Sequence, residues 1–196
     1  MLGDSLALGT GAGDSSRGFA FLTYLAIQRE RPGSEITNDA IGGSTARDVV
    51  RLQVARLRER HVDCVIVCVG GNDVARGTPS PDFAAAYGEL LRAIRRTVPR
   101  AALVVLGVPD ISISPLFADH AAAVHALAAA DDRAVRAAAH ATGAAYVDLF
   151  ALTHHHSDPA TFLAADRFHP SDAGHREIAA AVVPIVRSEL DRVMPY

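Results

Sequence analysis

The chain has 196 residues, 49% of them hydrophobic and 21% charged, with 19 basic against 22 acidic residues and a formal net charge of -3. That length suffices for a single domain spanning residues 1–196 with a substantial core, and the charge balance lacks the basic excess that draws a protein to nucleic acid or an anionic membrane. All 19 Lys/Arg positions are arginine, so a phosphate-gripping P-loop lysine and a lysine Schiff base are both excluded.

The chain opens on Gly3-Asp4-Ser5-Leu6, with only Met1 and Leu2 ahead of it to form a strand. Gly13-Asp14-Ser15 repeats the triplet, but glycines and not a strand precede it, so Ser15 is expected to cap or precede the first helix. That helix is predicted over 19–31 with Phe19, Leu22, Leu25 and Ala26 on its buried face, ended by Pro32-Gly33. Residues 35–38 read as a short strand, and 45–60 as a helix with Val50, Val54 and Leu57 as its apolar stripe. Residues 62–69 are apolar at nearly every position and read as a fully buried strand. Its Cys64 and Cys68 share a face roughly 13 Å apart, too far for a disulfide.

Ser80 is expected to cap the next helix, with Pro81 in its first turn and Phe83, Tyr87, Leu90, Leu91 and Ile94 facing the core. A further apolar strand covers 101–106, followed by a loop to about residue 119 and an alanine-rich helix closed by Gly143. The last strand is placed at 145–149. An irregular stretch over 150–168 then leads into a final helix capped by Ser171 and kinked at Pro184. Apolar strands alternating with helices predict an α/β fold with a parallel sheet covered on both faces, whose ligand site lies beyond the carboxyl ends of the strands.

Four clusters fall at those ends: residues 3–6, 38–45, Gly70-Gly71-Asn72-Asp73 and Asp166-Arg167-Phe168-His169. A serine hydroxyl is a poor nucleophile until an imidazole takes its proton. Ser5 and His169 supply that pair, and Asp166, three residues before His169, is close enough to hold the imidazole tautomer. The N–H groups of Ser5 and Gly43 and the amide of Asn72 could serve as oxyanion donors, each worth roughly 3 to 4 kcal/mol of barrier. Asp4 and Asp73 read as turn organisers. His154-His155-His156 reads as an exposed loop, because three adjacent residues cannot all face one ion on a regular element. Ile111, Ile113, Leu116 and Phe117 either line an acyl pocket or pack over the last helix.

Together these clusters resemble the SGNH, or GDSL-type, hydrolase family. The likeness rests on Gly-Asp-Ser-Leu at Ser5, Asn-x-x-x-x-Gly-x-Thr at Gly43, Gly-x-Asn-Asp at Asn72 and Asp-x-x-His-Pro at His169, and continues through Ser171 to His175. It implies a flavodoxin-like three-layer α/β/α sandwich with a central parallel sheet. It also implies hydrolysis of small to medium carboxylic esters through an acyl-serine, with Ser5, Asp166 and His169 as triad and Ser5, Gly43 and Asn72 as oxyanion hole. Thioesterase, lysophospholipase or carbohydrate O-deacetylase chemistry would use the same groups. The expected partner is a small-molecule ester, and no metal or organic cofactor is implied.

Members of the family usually carry a full strand before the serine, so an upstream extension is expected to raise the melting temperature. The absence of Gly-x-Ser-x-Gly argues against the α/β-hydrolase fold. A silent binding domain would be expected to show a damaged triad, and Gly9-Thr10-Gly11-Ala12-Gly13 lacks the spacing of a dinucleotide loop. No apolar run approaches the roughly 20 residues of a membrane helix, and no leader pattern opens the chain, so a cytoplasmic location is expected.

Overall fold

In the computed structural model, which describes residues 1–154 and 156–194, four strands form one parallel sheet in the order β1 (Leu2–Gly3), β2 (Cys64–Cys68), β3 (Ala102–Leu106), β4 (Ala145–Val147). Nine helices accompany it among the described residues. They are α1 (Ser5–Leu8), α2 (Phe19–Glu30), α3 (Ala46–Leu52), α4 (Gly71–Ala75), α5 (Ser80–Thr97), α6 (Ala121–Thr142), α7 (Leu149–His154), α8 (Pro159–Phe162) and α9 (Asp172–Val193). Side chains alternate across a strand, and β3 shows the result. Leu103 and Val105 join the core under α3, α5 and α6, while Val104 and Leu106 join the core under α2 and α9. Burying each such side chain contributes about 1.5–3 kcal/mol. The layers are therefore helix, sheet, helix, as expected.

The expected strand at 35–38 is not formed. Instead, residues 37–41 run extended beside β1. The Met1 ammonium donates to the Thr37 carbonyl at 2.7 Å, and the N–H groups of Asp39 and Ile41 donate to the carbonyls of Met1 and Gly3. The ladder is interrupted at Gly3, whose N–H donates to Gln53 Oε1 at 2.8 Å while Gln53 Nε2 returns a bond to the Gly3 carbonyl at 2.8 Å and a third to Ser44 Oγ. A fully buried amide thus stands in for a strand partner. It also explains why the helix predicted over 45–60 is broken. The chain leaves α3 at Gln53, turns that side chain inward and continues as a 3₁₀ helix over Val54–Glu59. Val49, rather than Val50, shares the buried stripe with Val54 and Leu57.

Counting residues 37–41 as an irregular edge, the strand order becomes 2-1-3-4-5, which reverses direction between β1 and β2. Ligand sites of open parallel sheets lie at such a switch point. Ser5 follows β1, Gly43 follows the edge segment and Gly71-Asn72 follows β2, so all three cluster there.

Other expectations shift in detail. The buried face of α2 is Phe19, Ala20, Thr23 and Ile27, with Leu22, Leu25 and Ala26 only partly covered. On β2, Cys64 and Ile66 are only partly buried, because this face meets a cleft between α2 and α9. Ser80 is the first residue of α5 and not its cap, since its hydroxyl donates to Asp131 at 2.6 Å. The stretch over 150–168 is not irregular throughout but contains most of α7 and all of α8. The buried face of α5, the Gly143 cap of α6 at φ 61° and the Ser171 cap of α9 are as predicted. No described helix is long and apolar enough to cross a membrane.

Candidate active site

Asp4 starts the site. Its Oδ1 accepts the Leu6 N–H at 3.0 Å and caps the four-residue α1, which places Ser5 at the first turn just past β1. Gly3 has φ 151°, and a Cβ there would stand 2.0 Å from the Cys68 carbonyl oxygen. Any side chain would push β1 off β2, so Gly3→Ala is expected to prevent stable folding, as circular dichroism would show.

The structure brings Ser5, His169 and Asp166 into one line. Ser5 Oγ lies 2.8 Å from His169 Nε2, and His169 Nδ1 lies 2.7 Å from Asp166 Oδ2. Asp166 Oδ1 also accepts the N–H groups of Phe168 and His169, which ties the four-residue turn to its own carboxylate. Burial pulls the Asp166 carboxyl upward, but these N–H groups and the imidazole hold it below the usual carboxylate range. It is therefore ionised and accepts the Nδ1–H, leaving Nε2 as the imidazole's acceptor facing Ser5 Oγ. The turn holds Arg167 at φ 59°, the one non-glycine residue with positive φ among the described residues. Ser114 Oγ fastens this strained residue by donating to its carbonyl at 2.6 Å.

Of the three oxyanion candidates, Ser5 and Asn72 line the same pocket, and Gly43 directly precedes Ser44, whose carbonyl Asn72 reaches. Among the described residues, neither the Ser5 nor the Gly43 N–H is spent on another hydrogen bond. Gly43 sits at φ 78°, a left-handed turn that favours glycine, and its carbonyl accepts from Arg76 at 2.8 Å. Asn72 Nδ2 donates to Asp4 Oδ2 at 3.2 Å and to the Ser44 carbonyl at 3.1 Å, so any further acceptor would have to share one of these long bonds. Burial raises the Asp4 carboxyl to about 7 and that of Asp73 to about 6. Asp73 Oδ2 accepts the Ala46 N–H at the start of α3. Both carboxylates organise turns, as the sequence suggested.

An apolar pocket opens beside Ser5 and His169, walled by Val69, Pro109, Ile111, Ile113, Phe162 and Ile178 among others. Of the four residues weighed in the 108–117 segment, Ile111 and Ile113 line it. Leu116 is exposed, and Phe117 packs edge-on against Phe168 at 6.1 Å. Ser15 is exposed in a 3₁₀ turn ahead of α2 and outside this pocket. Cys64 and Cys68 are free thiols, and burial pushes Cys64 up to about 12 and Cys68 well above its ordinary value.

The glycine-rich loop over 9–13 has a role the sequence reading missed. A Cβ on Gly11 would stand 2.7 Å from His169 Cβ, so the loop backs the base closely. His175 holds the loop from below. Its Nδ1 accepts the Phe19 N–H at 3.2 Å, and its Nε2 donates to the Thr10 carbonyl at 3.1 Å. Burial lowers its affinity for a proton from the ordinary 6.5. The unfolded chain therefore binds this proton first, and stability is lost as pH falls below about 6.5. His175→Gln, which keeps a donor and an acceptor, is expected to weaken the acid-side loss of stability relative to the parent in denaturation curves at pH 7.5 and 5.5.

Residues 1–177 match the model of the GDSL-like lipase/acylhydrolase family. The chain belongs to that family. No curated protein matches it significantly in sequence. Among solved structures, GDSL-type neighbours share its whole architecture, the SGNH hydrolase fold. The psychrotrophic esterase EstA from Pseudoalteromonas sp. superposes with a TM-score of 0.75 at 19% identity, over 97% of this chain and 96% of that one. TesA gives 0.75 at 23% identity, over 96% and 97%. The acetylxylan esterase Axe2 from Geobacillus stearothermophilus gives 0.72 at 22%, over 94% and 91%.

Proposed function

We propose that this GDSL-family protein is a serine-dependent hydrolase of carboxylic esters with short acyl groups. The observation that carries the reading is the continuous chain from Ser5 Oγ through His169 to Asp166 at the mouth of an apolar pocket. Ser5 attacks the ester carbonyl while His169 Nε2 takes its proton, and Asp166 holds the imidazole and balances its positive charge. The tetrahedral oxyanion receives the Ser5 and Gly43 N–H groups and the Asn72 amide. His169 returns the proton to the leaving alcohol, and water repeats the sequence to free the acid from the acyl-serine.

Pocket size supports a short acyl group. The pocket volume of about 50 Å³ suits an acyl group of a few carbons. The esterase EstA, of the same fold, is inhibited by monoethylphosphonate, which recommends a phosphonate as probe here.

The test is hydrolysis of p-nitrophenyl esters from acetate to decanoate, by the parent and Ser5→Ala in parallel. Acetate and butyrate are expected to exceed decanoate at least about tenfold in kcat/KM, because the carbons of a long chain beyond the small pocket gain no apolar contact from it. A fluorophosphonate should label the parent and not Ser5→Ala. Folded parent protein that neither turns over esters nor takes the label would refute the reading.

A further inference from the structure

A second cluster of chemically capable side chains adjoins the pocket, with Asp110 in its wall, and takes no part in ester hydrolysis as proposed above. It joins Asp110, on the loop after β3, with His125 on α6 and His154 at the end of α7. His125 Nδ1 lies 2.7 Å and His154 Nδ1 2.9 Å from the same oxygen, Asp110 Oδ2. The three atoms all lie within 4.8 Å of one another, and the two imidazole centroids are 4.7 Å apart. Asp110 is buried, and its other oxygen is fixed by the Ser112 N–H at 3.1 Å and the Ser112 hydroxyl at 2.6 Å. The Asp110 N–H in turn donates to Thr153 Oγ1 at 2.8 Å. The carboxylate is thus aimed and held by other residues, as metal-ligating carboxylates are.

We propose that Asp110, His125 and His154 bind a divalent transition ion of the zinc type. Two imidazole nitrogens and one carboxylate oxygen suit zinc, cobalt or nickel, whereas magnesium and calcium call for oxygen donors throughout. Ligand atoms about 2.0–2.2 Å from a tetrahedral ion stand roughly 3.3–3.5 Å apart, so the two nitrogen–oxygen contacts open by roughly half an ångström when the ion enters. Both rings are partly open to solvent and each packs on Phe150 with centroids 5.6 Å apart, so the rings adjust against that side chain when the ion enters. Three protein ligands leave the fourth position to water.

The sequence reading took the tract 154–156 as an exposed loop and implied no metal. His156 is drawn away from the cluster to Glu177 at 3.0 Å, and His155 lies outside the described residues. Only His154 of the described tract joins the cluster, and its partners are distant in sequence. The ion would tie the loop at Asp110 to α6 and α7. Pro109, Asp110 and Ile111 all line the acyl pocket, so one of its walls would be fixed at the same time.

The experiment is titration of chelator-treated full-length protein with Zn²⁺ by calorimetry and with Co²⁺ by visible absorption. The parent is expected to bind one ion per chain and to give the intense visible bands of four-coordinate cobalt. His125→Gln, with the histidine tract intact, should weaken zinc binding at least about 100-fold, since even residues that only orient a ligand are worth 10- to 100-fold. Asp110→Asn should act similarly where its circular dichroism matches the parent. Folded parent protein that binds neither ion would overturn the proposal. So would undiminished affinity in His125→Gln, which would assign the ion to residues 154–156.

Discussion

Ser5→Ala and His169→Ala are each expected to lower kcat for a p-nitrophenyl ester by about 10⁴- to 10⁶-fold, and the double variant should lose little more than either alone. The geometry behind this is the 2.8 Å contact between the two side chains. With either one removed, the other has nothing to activate or to accept from. Ser15→Ala, in the repeated triplet, should retain nearly full turnover, because Ser15 faces solvent ahead of α2. Asp166→Ala should cost less than loss of Ser5 or His169, since its carboxylate orients the imidazole from a side open to water. Additive losses in the double variant would mean that Ser5 and His169 do not work as one unit.

The second large effect concerns stability. Gln53→Leu is expected to destabilise the protein by about 3 kcal/mol, because it removes the bonds to Gly3 and Ser44 and leaves the Gly3 N–H buried without an acceptor. For a chain of this size that is a fall of roughly 6–12 °C in melting temperature. Leucine has nearly the volume of glutamine, so packing alone would predict a small change. Calorimetric scans of the two proteins distinguish these outcomes. Gly3 is two residues from Ser5, so the variant should also lose turnover at temperatures where it is still folded.

Much of the fold was legible because burial writes itself into hydrophobic pattern. Residues 102–106 and the buried face of α5 were readable as continuous or periodic apolar runs, and both are buried as expected. The edge segment at 37–41 was misplaced because its ladder is completed by a side chain 50 positions from Gly3, and no local pattern encodes that. Gln53 itself read as one polar residue in an amphipathic helix. Ser5, Asp166 and His169 could be picked out because each sits in a short cluster rich in turn-forming residues. Asp166 and His169 also lie on a single turn, so half of that arrangement is local. The Asp110, His125 and His154 cluster had no such signature, because its members come from three separate elements. The face of α2 was misread for a different reason. Its apolar residues surround most of the helix, so periodicity could not choose among them.

The contact between Ser5 and His169 spans 164 positions of the chain. A ribosome adding about 5–20 residues per second makes the histidine roughly 10 to 30 seconds after the serine. Through that interval Ser5 is an ordinary alcohol. On the proposed reading its activation arrives only after His169 has been made and α9 can close over the sheet. On the proposed reading, hydrolytic capacity therefore appears only once both residues have been made and brought together.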